Sequence, residues 1–448
     1  MENRETMNKQ AIARLIRGVC SALVALALVA CGGGGGTKNT VGITGGTGGT
    51  GGTNGTGTTT LAIPVVVQYL ASEPAVIYVA GAPGATRSNV SFRLLDALNQ
   101  AVAGRTVLLQ LVDASSGASL QNAAADGGLR LVSDVDGRVT AGVLSGSVPG
   151  AVRVRATVVD FPLVAAVSQE LTVAVGRPAQ RAMSISRTII NIEGDSRDGS
   201  ETQLTVALAD RNGNPVPDGT QVNLVADAGV LIPASCVTTE GSSRCTVTLR
   251  SQGTRTASGR VTILAYTPGE EDFTDINGNN RWDAGEAFGD LGQAFRDSNE
   301  NNTYDVGEFF VPRAGASVCG GGLLGRPNTC DGAWGEADLR TQTVVVFASS
   351  FASIGERTGS AAEGFIRFKI SDRNGNNMPF GSAISVSVVP PPVGTTACRV
   401  ESLPTSVPNQ VAPTDVLARL FECSAGDLIQ VQVRTLNGAE TFDSFLLN

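Results

Sequence analysis

Apolar and polar residues alternate in short runs from Leu61 to the last residue, and Gly, Pro, Asn or Asp closes almost every run. Alternation puts successive side chains on opposite faces of an extended chain, so these runs predict half-buried β-strands. No window holds a helical period for the length a globular helix needs, and the predicted fold class is all-β. One stretch returns three times. It reads Val90-Ser-Phe-Arg-Leu-Leu-Asp96-Ala-Leu-Asn-Gln-Ala-Val102-Ala-Gly104 before the run Thr106 to Val112. It returns as Leu204-Thr-Val-Ala-Leu-Ala-Asp210-Arg-Asn-Gly-Asn-Pro-Val216-Pro-Asp-Gly219 before Gln221 to Val225. The third copy starts at Phe365 and passes through Asp372-Arg-Asn-Gly-Asn-Asn-Met378-Pro-Phe-Gly381 into Ala383 to Val389. Each is a strand, a turn whose Asn and Gly tolerate positive φ, and a second strand. Repetition at this period predicts a string of like domains.

Ahead of Leu61 the pattern differs. Arg4, Lys9, Arg14 and Arg17 precede an apolar run from Val19 to Ala30 that is too short to span a bilayer. It ends Leu28-Val29-Ala30-Cys31, which resembles the lipobox of bacterial lipoproteins. The resemblance implies cleavage before Cys31 and lipidation of that residue. Several acyl chains anchor a protein stably where one holds it only marginally. Gly32 stands where aspartate is associated with retention at the inner membrane, so the expected destination is the bacterial outer membrane and its surface. Residues 32 to about 60 are almost all Gly and Thr, a composition that buries no apolar surface and predicts a flexible tether.

The repeats also carry a resemblance. The stretch from Asp210 to Gly219 nearly matches the Asp-x-x-Gly-Asn-x-Val-x-Gly signature of bacterial immunoglobulin-like domains of the intimin and invasin type. The first copy lacks the Gly-Asn pair, and Met378 replaces the usual valine in the third. Ser133-Asp-Val-Asp-Gly137-Arg-Val-Thr140 resembles a later segment of the same family. Coverage runs from about 60 to 448, and the fold implied is a β-sandwich of about 100 residues per module. The expected division is a signal peptide (1–30), a lipidated Cys31 with its tether (31–60) and three immunoglobulin-like modules (61–177, 178–347 and 348–448). Asp96 and Asp210 are 114 positions apart but Asp210 and Asp372 are 162 apart, which leaves 48 extra residues in the second module, expected as an insertion at about 268–338.

Composition narrows the chemistry. The chain has no histidine, which removes Ser-His and Cys-His catalysis and the usual zinc ligands. Its formal charge of −8 and the lack of any Lys/Arg-rich cluster exclude a nucleic-acid footprint. Six cysteines follow Cys31, an even number behind an export signal. Their spacing favours pairing of sequence neighbours: Cys236 with Cys245, Cys319 with Cys330, and Cys398 with Cys423.

The inserted residues hold a second repeat. Phe273 to Phe288 recurs twenty-two positions on as Phe295 to Phe310. Asp275, Asn277, Asn279, Asp283 and Glu286 occupy positions 1, 3, 5, 9 and 12 of the first loop, and Asp297, Asn299, Asn301, Asp305 and Glu308 those of the second. Calcium takes about six to eight oxygens, which this alternation supplies together with a carbonyl at position 7 and a closing glutamate. The pair resembles the calcium loops of EF-hand and dockerin proteins. That resemblance implies carbonyl ligands from Arg281 and Thr303 and bidentate Glu286 and Glu308. Asn280 and Asn302 replace the usual glycine at position 6, and Trp282 and Tyr304 are expected to pair across the two loops. Calcium is the expected cofactor.

The function expected from these readings is a non-enzymatic, lipid-anchored, calcium-stiffened cell-surface stalk or adhesin-like structural protein. Its partners would be the membrane, through the lipid, and host or envelope proteins or glycans, with no nucleic acid. The alternative is a periplasm-facing scaffold or accessory subunit of an envelope complex.

Overall fold

In the computed structural model the alternation of each repeat becomes inside and outside. Val90, Phe92 and Leu94 of strand Arg87–Leu95 are fully buried, as are Leu204 and Val206 of Glu201–Ala207 and Ile366, Phe368 and Ile370 of Phe365–Asp372, while the residues between them face outward. The structure describes residues 62–113, 116–315, 317–390 and 397–448. The apolar leader with Cys20 and Cys31, the tether, and Pro391 and Pro392 lie outside the described residues.

The fold is all-β, built as three mainly antiparallel sandwiches of immunoglobulin-like strand order, with Val76–Tyr78 and Asn191–Ile192 the parallel members among the described strands. In the first, Val66–Glu73, Arg87–Leu95, Arg138–Leu144 and Ser119–Leu120 form one sheet. Val76–Tyr78, Leu171–Ala174, Gly150–Val158, Thr106–Asp113 and Leu129–Val132 form the other, with Phe161–Val167 added on Gly150–Val158. The second sandwich repeats this order: Ser184–Arg187, Glu201–Ala207, Arg244–Arg250 and Val230–Ile232 face Asn191–Ile192, Glu336–Phe347, Arg260–Glu270, Gln221–Ala226 and Ser235–Val237. The third sets Ala352–Ser360, Phe365–Asp372, Thr414–Phe421 and Arg399–Leu403 against Ala383–Val388, Leu428–Arg434 and Glu440–Leu446. Each sandwich has its own apolar core, with Phe92, Phe347 and Phe368 as the largest fully buried side chains of the first, second and third. Among the described residues no helix is long and apolar enough to cross a membrane.

The repeated turn is not a hairpin. Its two strands belong to opposite sheets, so the turn carries the chain across the sandwich. The same geometry recurs in all three copies. Oδ1 of Asp96 accepts the Leu98 and Gln100 N–H groups at 2.8 and 2.9 Å, and Asp210 and Asp372 do the same for Asn212 and Asn214, and for Asn374 and Asn376. The residue three after each aspartate has positive φ: Asn99 (58°), Gly213 (82°) and Gly375 (79°). Asparagine tolerates that backbone better than other side-chain-bearing residues, so the first copy keeps the turn without its glycine. Val102, Val216 and Met378, six after each aspartate, are completely buried, and methionine's flexible thioether fills the valine site.

The second oxygen of two of these aspartates joins sandwich to sandwich. Oδ2 of Asp210 accepts the N–H of Val175, at the end of the first sandwich, at 2.7 Å. Oδ2 of Asp372 accepts the N–H of Ser349, past the end of the second, at 3.1 Å. The latter joint is further held by Glu193 with Ser350 at 2.7 Å, by Asp195 with Arg373 at 2.7 Å and by Asn376 with the Ser258 carbonyl at 2.6 Å. The six cysteines pair as neighbours, Cys236–Cys245, Cys319–Cys330 and Cys398–Cys423.

Asp372 is 1% exposed and serves three N–H groups. Stranding buried donors costs about 1–3 kcal/mol each where no water replaces the acceptor. Asp372→Ala should therefore lower the unfolding free energy of the full chain by about 3 kcal/mol in urea titration, and a loss below about 1 kcal/mol would contradict this role.

Candidate metal centre

The insertion is the connection between Arg260–Glu270 and Glu336–Phe347, which pair along their whole length as far as Glu270 and Glu336. The second strand thus begins at Glu336, five residues before the apolar run at Thr341. The early part is polar in sequence because its side chains are ion-paired: Glu336 lies 3.8 Å from Arg177, and Asp338 lies 3.8 Å from Arg313.

Each acidic loop is closed at its base by an isolated β-bridge, Phe273 with Phe288 and Phe295 with Phe310. Inside, the first aspartate folds the chain around itself. Asp275 Oδ1 accepts the N–H groups of Gly278 and Asn279 at 2.8 and 3.1 Å, and Oδ2 that of Asn280 at 2.8 Å. Asp297 accepts Asn301 at 3.1 Å and Asn302 at 2.7 Å. The asparagine amides at positions 3 and 5 then converge on the carboxylate at position 9. Asn277 and Asn279 donate to Asp283 Oδ2 at 2.8 and 2.7 Å, and Asn299 and Asn301 to Asp305 Oδ2 at 2.7 Å. These amides hold both aspartates below the usual carboxylate range. The closing glutamates reach back across the loop. Glu286 accepts the N–H groups of Ile276 (2.8 Å) and Asp283 (3.0 Å), and Glu308 those of Ser298 (2.7 Å) and Asp305 (3.0 Å).

The departures at position 6 are accommodated. Asn280 and Asn302 have φ of 59° and 62°, the left-handed conformation that glycine takes more cheaply. In the second loop Glu300 also has φ of 61°, where the first has Gly278. A two-point ion pair with Arg260, both contacts at 2.5 Å, holds it there. Among the described residues the carbonyls of Arg281 and Thr303 accept no hydrogen bond. The donor set of each loop is therefore entirely oxygen, with the position-7 carbonyl free. That is the chemistry of a hard cation such as calcium, and it offers nothing to a soft one.

The expected aromatic pairing across the loops does not occur. Trp282 stacks on Trp334 at 5.8 Å and meets Phe288 edge-on, while Tyr304 packs between Phe295 and Phe310. Each loop closes on its own phenylalanines because the bridge at its base brings them together. Trp334 was not legible as a partner, since it lies beyond the Cys319–Cys330 loop. Two cations cover these rings: Arg326, within the insertion, lies over Tyr304 and Phe310 at 4.8 and 4.5 Å, and Arg340, from the strand that follows it, over Phe295 at 3.9 Å.

Glu271, 3% exposed, anchors the insertion to its strand. Its oxygens accept the N–H groups of Leu291 at 2.7 Å and Gly335 at 3.1 Å. Burial, reinforced by Asp290 and Asp331, pushes its pKa up from 4.5 to about 7 against the pull of those N–H donors. A carboxyl whose folded pKa is raised binds a proton more tightly in the folded state, so its contribution falls as pH rises from the unfolded value through the folded one. Asp283 and Asp305, being lowered, titrate below that window. In chelator, the melting temperature should fall between about pH 5 and about pH 7.5, by the equivalent of at most about 3 kcal/mol for Glu271. A melting temperature that rises over that interval would contradict the assignment.

No protein-family model and no curated protein matches this chain. Solved structures do. The D0-D1 domain of intimin is 15% identical with a TM-score of 0.22, over 47% of this chain and 94% of that one. Invasin, described as a bacterial integrin-binding protein, is 14% identical with a TM-score of 0.25, over 85% of this chain and 59% of that one. FdeC, described as an Escherichia coli adhesin, is 14% identical with a TM-score of 0.26, over 86% of this chain and 96% of that one. Scores at this level carry no argument, and the reading stands on this chain's own strands and residues.

Proposed function

We propose that the chain is a lipid-anchored, calcium-stiffened stalk of a bacterial outer membrane, adhesin-like in build and without catalytic activity. The observation that carries the calcium reading is the pair of loops twenty-two residues apart in which the first aspartate, Asp275 or Asp297, holds the N–H groups of positions 5 and 6, with the same free carbonyl at position 7. When bound, calcium would neutralise the carboxylates of each loop. Asp275, Asn277, Asn279, Arg281 (by its carbonyl), Asp283 and Glu286 would hold one ion. Asp297, Asn299, Asn301, Thr303 (by its carbonyl), Asp305 and Glu308 would hold the other. The asparagine oxygens accept the N–H groups of Asn279, Arg281, Asn301 and Thr303, and each oxygen has a second lone pair with which to meet a cation once the amide has rotated.

The anchor rests on the sequence before and including Cys31, and the tether would let the sandwiches stand away from the lipid. The partners would be host or envelope proteins or glycans met at loops and sheet faces. The absence of histidine from the sequence supports a binding and presenting role. The loop carboxylates are engaged with backbone N–H groups and amides.

Titration calorimetry on the full chain should find two calcium ions bound. The double substitution Asp275→Asn with Asp297→Asn should bind neither. At calcium about a hundredfold above Kd, each site would add about 2.7 kcal/mol, so chelation should lower the melting temperature by several degrees. Unchanged melting would remove calcium from the reading. Protease shaving of intact cells should cleave the chain, and protection until the outer membrane is opened would instead make it a periplasm-facing scaffold.

A further inference from the structure

The strand ends place the first loop beside the joint to the first sandwich. Ser184 pairs with Ala207, and Asn223 with Tyr266, so the turn at Asp210 and the insertion after Glu270 leave the second sandwich at the same pole, where Val175 enters. Arg211, the residue after the linker-holding aspartate, spans the gap. Its side chain is only 11% exposed. Nη1 donates to Glu270 Oε1 at 2.6 Å, and Nη2 donates to the carbonyl of Asn280 at 2.6 Å. The group also lies 5.3 Å from the ring centre of Phe273, at the base of the first loop. The Arg211 carbonyl in turn accepts Nη2 of Arg181 at 2.6 Å. Asn280 is the left-handed residue that Asp275 holds through its N–H. An unbroken set of contacts therefore runs from Asp275 through Asn280 and Arg211 to Asp210 and the Val175 linker. Beside it, a cleft of about 340 Å³ has Ala80 and Ala82 of the first sandwich on one wall and Arg281 and Trp282 of the first loop on another.

The second loop has no such path. Arg260 holds Glu300, Gln342 accepts the N–H of Asp297 at 3.2 Å, and Arg340 covers Phe295. All three partners belong to the two long strands of its own sandwich.

We infer that the two loops have separate tasks. The first controls the stiffness of the joint between the first and second sandwiches, with Arg211 as the positioning residue that transmits its state. The second only fastens the insertion to its own sheet. This inference rests on the calcium reading. With the cation bound, the turn at Asn280 is fixed and its carbonyl becomes a rigid acceptor for Arg211. Without it, the turn rests on the Asp275 hydrogen bonds alone, and the second anchor of the arginine is less firmly fixed.

The test is pulsed electron-spin distance measurement on the full chain, with spin labels carried by non-natural amino acids at exposed Leu163 and Thr246 so that the native disulfides stay intact. Calorimetry is run on the same samples. Calcium should narrow the distance distribution of the otherwise unchanged protein. Arg211→Met should still bind two ions yet lose the narrowing, and Arg211→Lys should recover part of it. Asp297→Asn should bind one ion and keep the narrowing, whereas Asp275→Asn should bind one ion and lose it. Two ions bound with no narrowing in the parent protein, or full narrowing in Arg211→Met, would overturn the inference while leaving the calcium reading intact. No ion bound at either loop would overturn the calcium reading itself.

Discussion

The second carboxylate oxygen of Asp210 and of Asp372 ties each sandwich to the one before it. A carboxylate has two acceptor oxygens, and in these residues they are divided between two tasks. Oδ1 gathers the N–H groups of the turn that carries the chain from one sheet to the other, and Oδ2 takes the first free N–H of the incoming linker. Both aspartates are buried, and burial raises Asp372 above the ordinary carboxylate range despite its three N–H donors. Backbone donors are what make such a carboxylate tolerable in the interior. Local folding of each sandwich and its docking to the neighbour therefore depend on the same atom group.

That arrangement explains where an insertion can act. The connection between the last two strands of the second sandwich emerges at the pole occupied by the aspartate turn, so an ordered insertion there meets the joint directly. At the opposite pole it would be an ornament on one sandwich. The insertion has little apolar surface of its own. Glu271, the Cys319–Cys330 bridge and two small aromatic clusters hold it together, with Arg326 of the insertion and Arg260 and Arg340 of the flanking strands packed against them. A structure with so small a core gains most from a ligand that binds only the folded form.

Much of this was legible in the sequence. The strands flanking Asp96, Asp210 and Asp372 follow from alternation and from Asn and Gly at fixed offsets, and cysteine spacing anticipates the three bridges. The loop repeat was visible in its alternating Asp, Asn and Glu positions, and Asn280 and Asn302 take the left-handed conformation. Other features depend on contacts distant in sequence. The parallel strands Val76–Tyr78 and Asn191–Ile192 are too short to leave a pattern, and nothing local marks the strands of each repeat as belonging to opposite sheets. Glu336 to Asp338 fall within the expected insertion, yet they belong to the strand, where Arg177 and Arg313 meet their carboxylates. The pairing of Trp282 with Trp334 instead of Tyr304 follows from the bridge geometry of each loop. The roles of Arg211 and Arg260 likewise emerge only once the poles of the sandwich are placed.

Amide hydrogen exchange on the full chain, with and without calcium, tests the whole arrangement in one experiment. Calcium should slow exchange at Asn279 and Asn280, at Asn301 and Asn302, and at the linker amide of Val175, while amides in the core strands of the third sandwich stay unchanged. Exchange in both loops that is indifferent to calcium would contradict the proposal that these repeats are metal centres ordering the second sandwich and its joint.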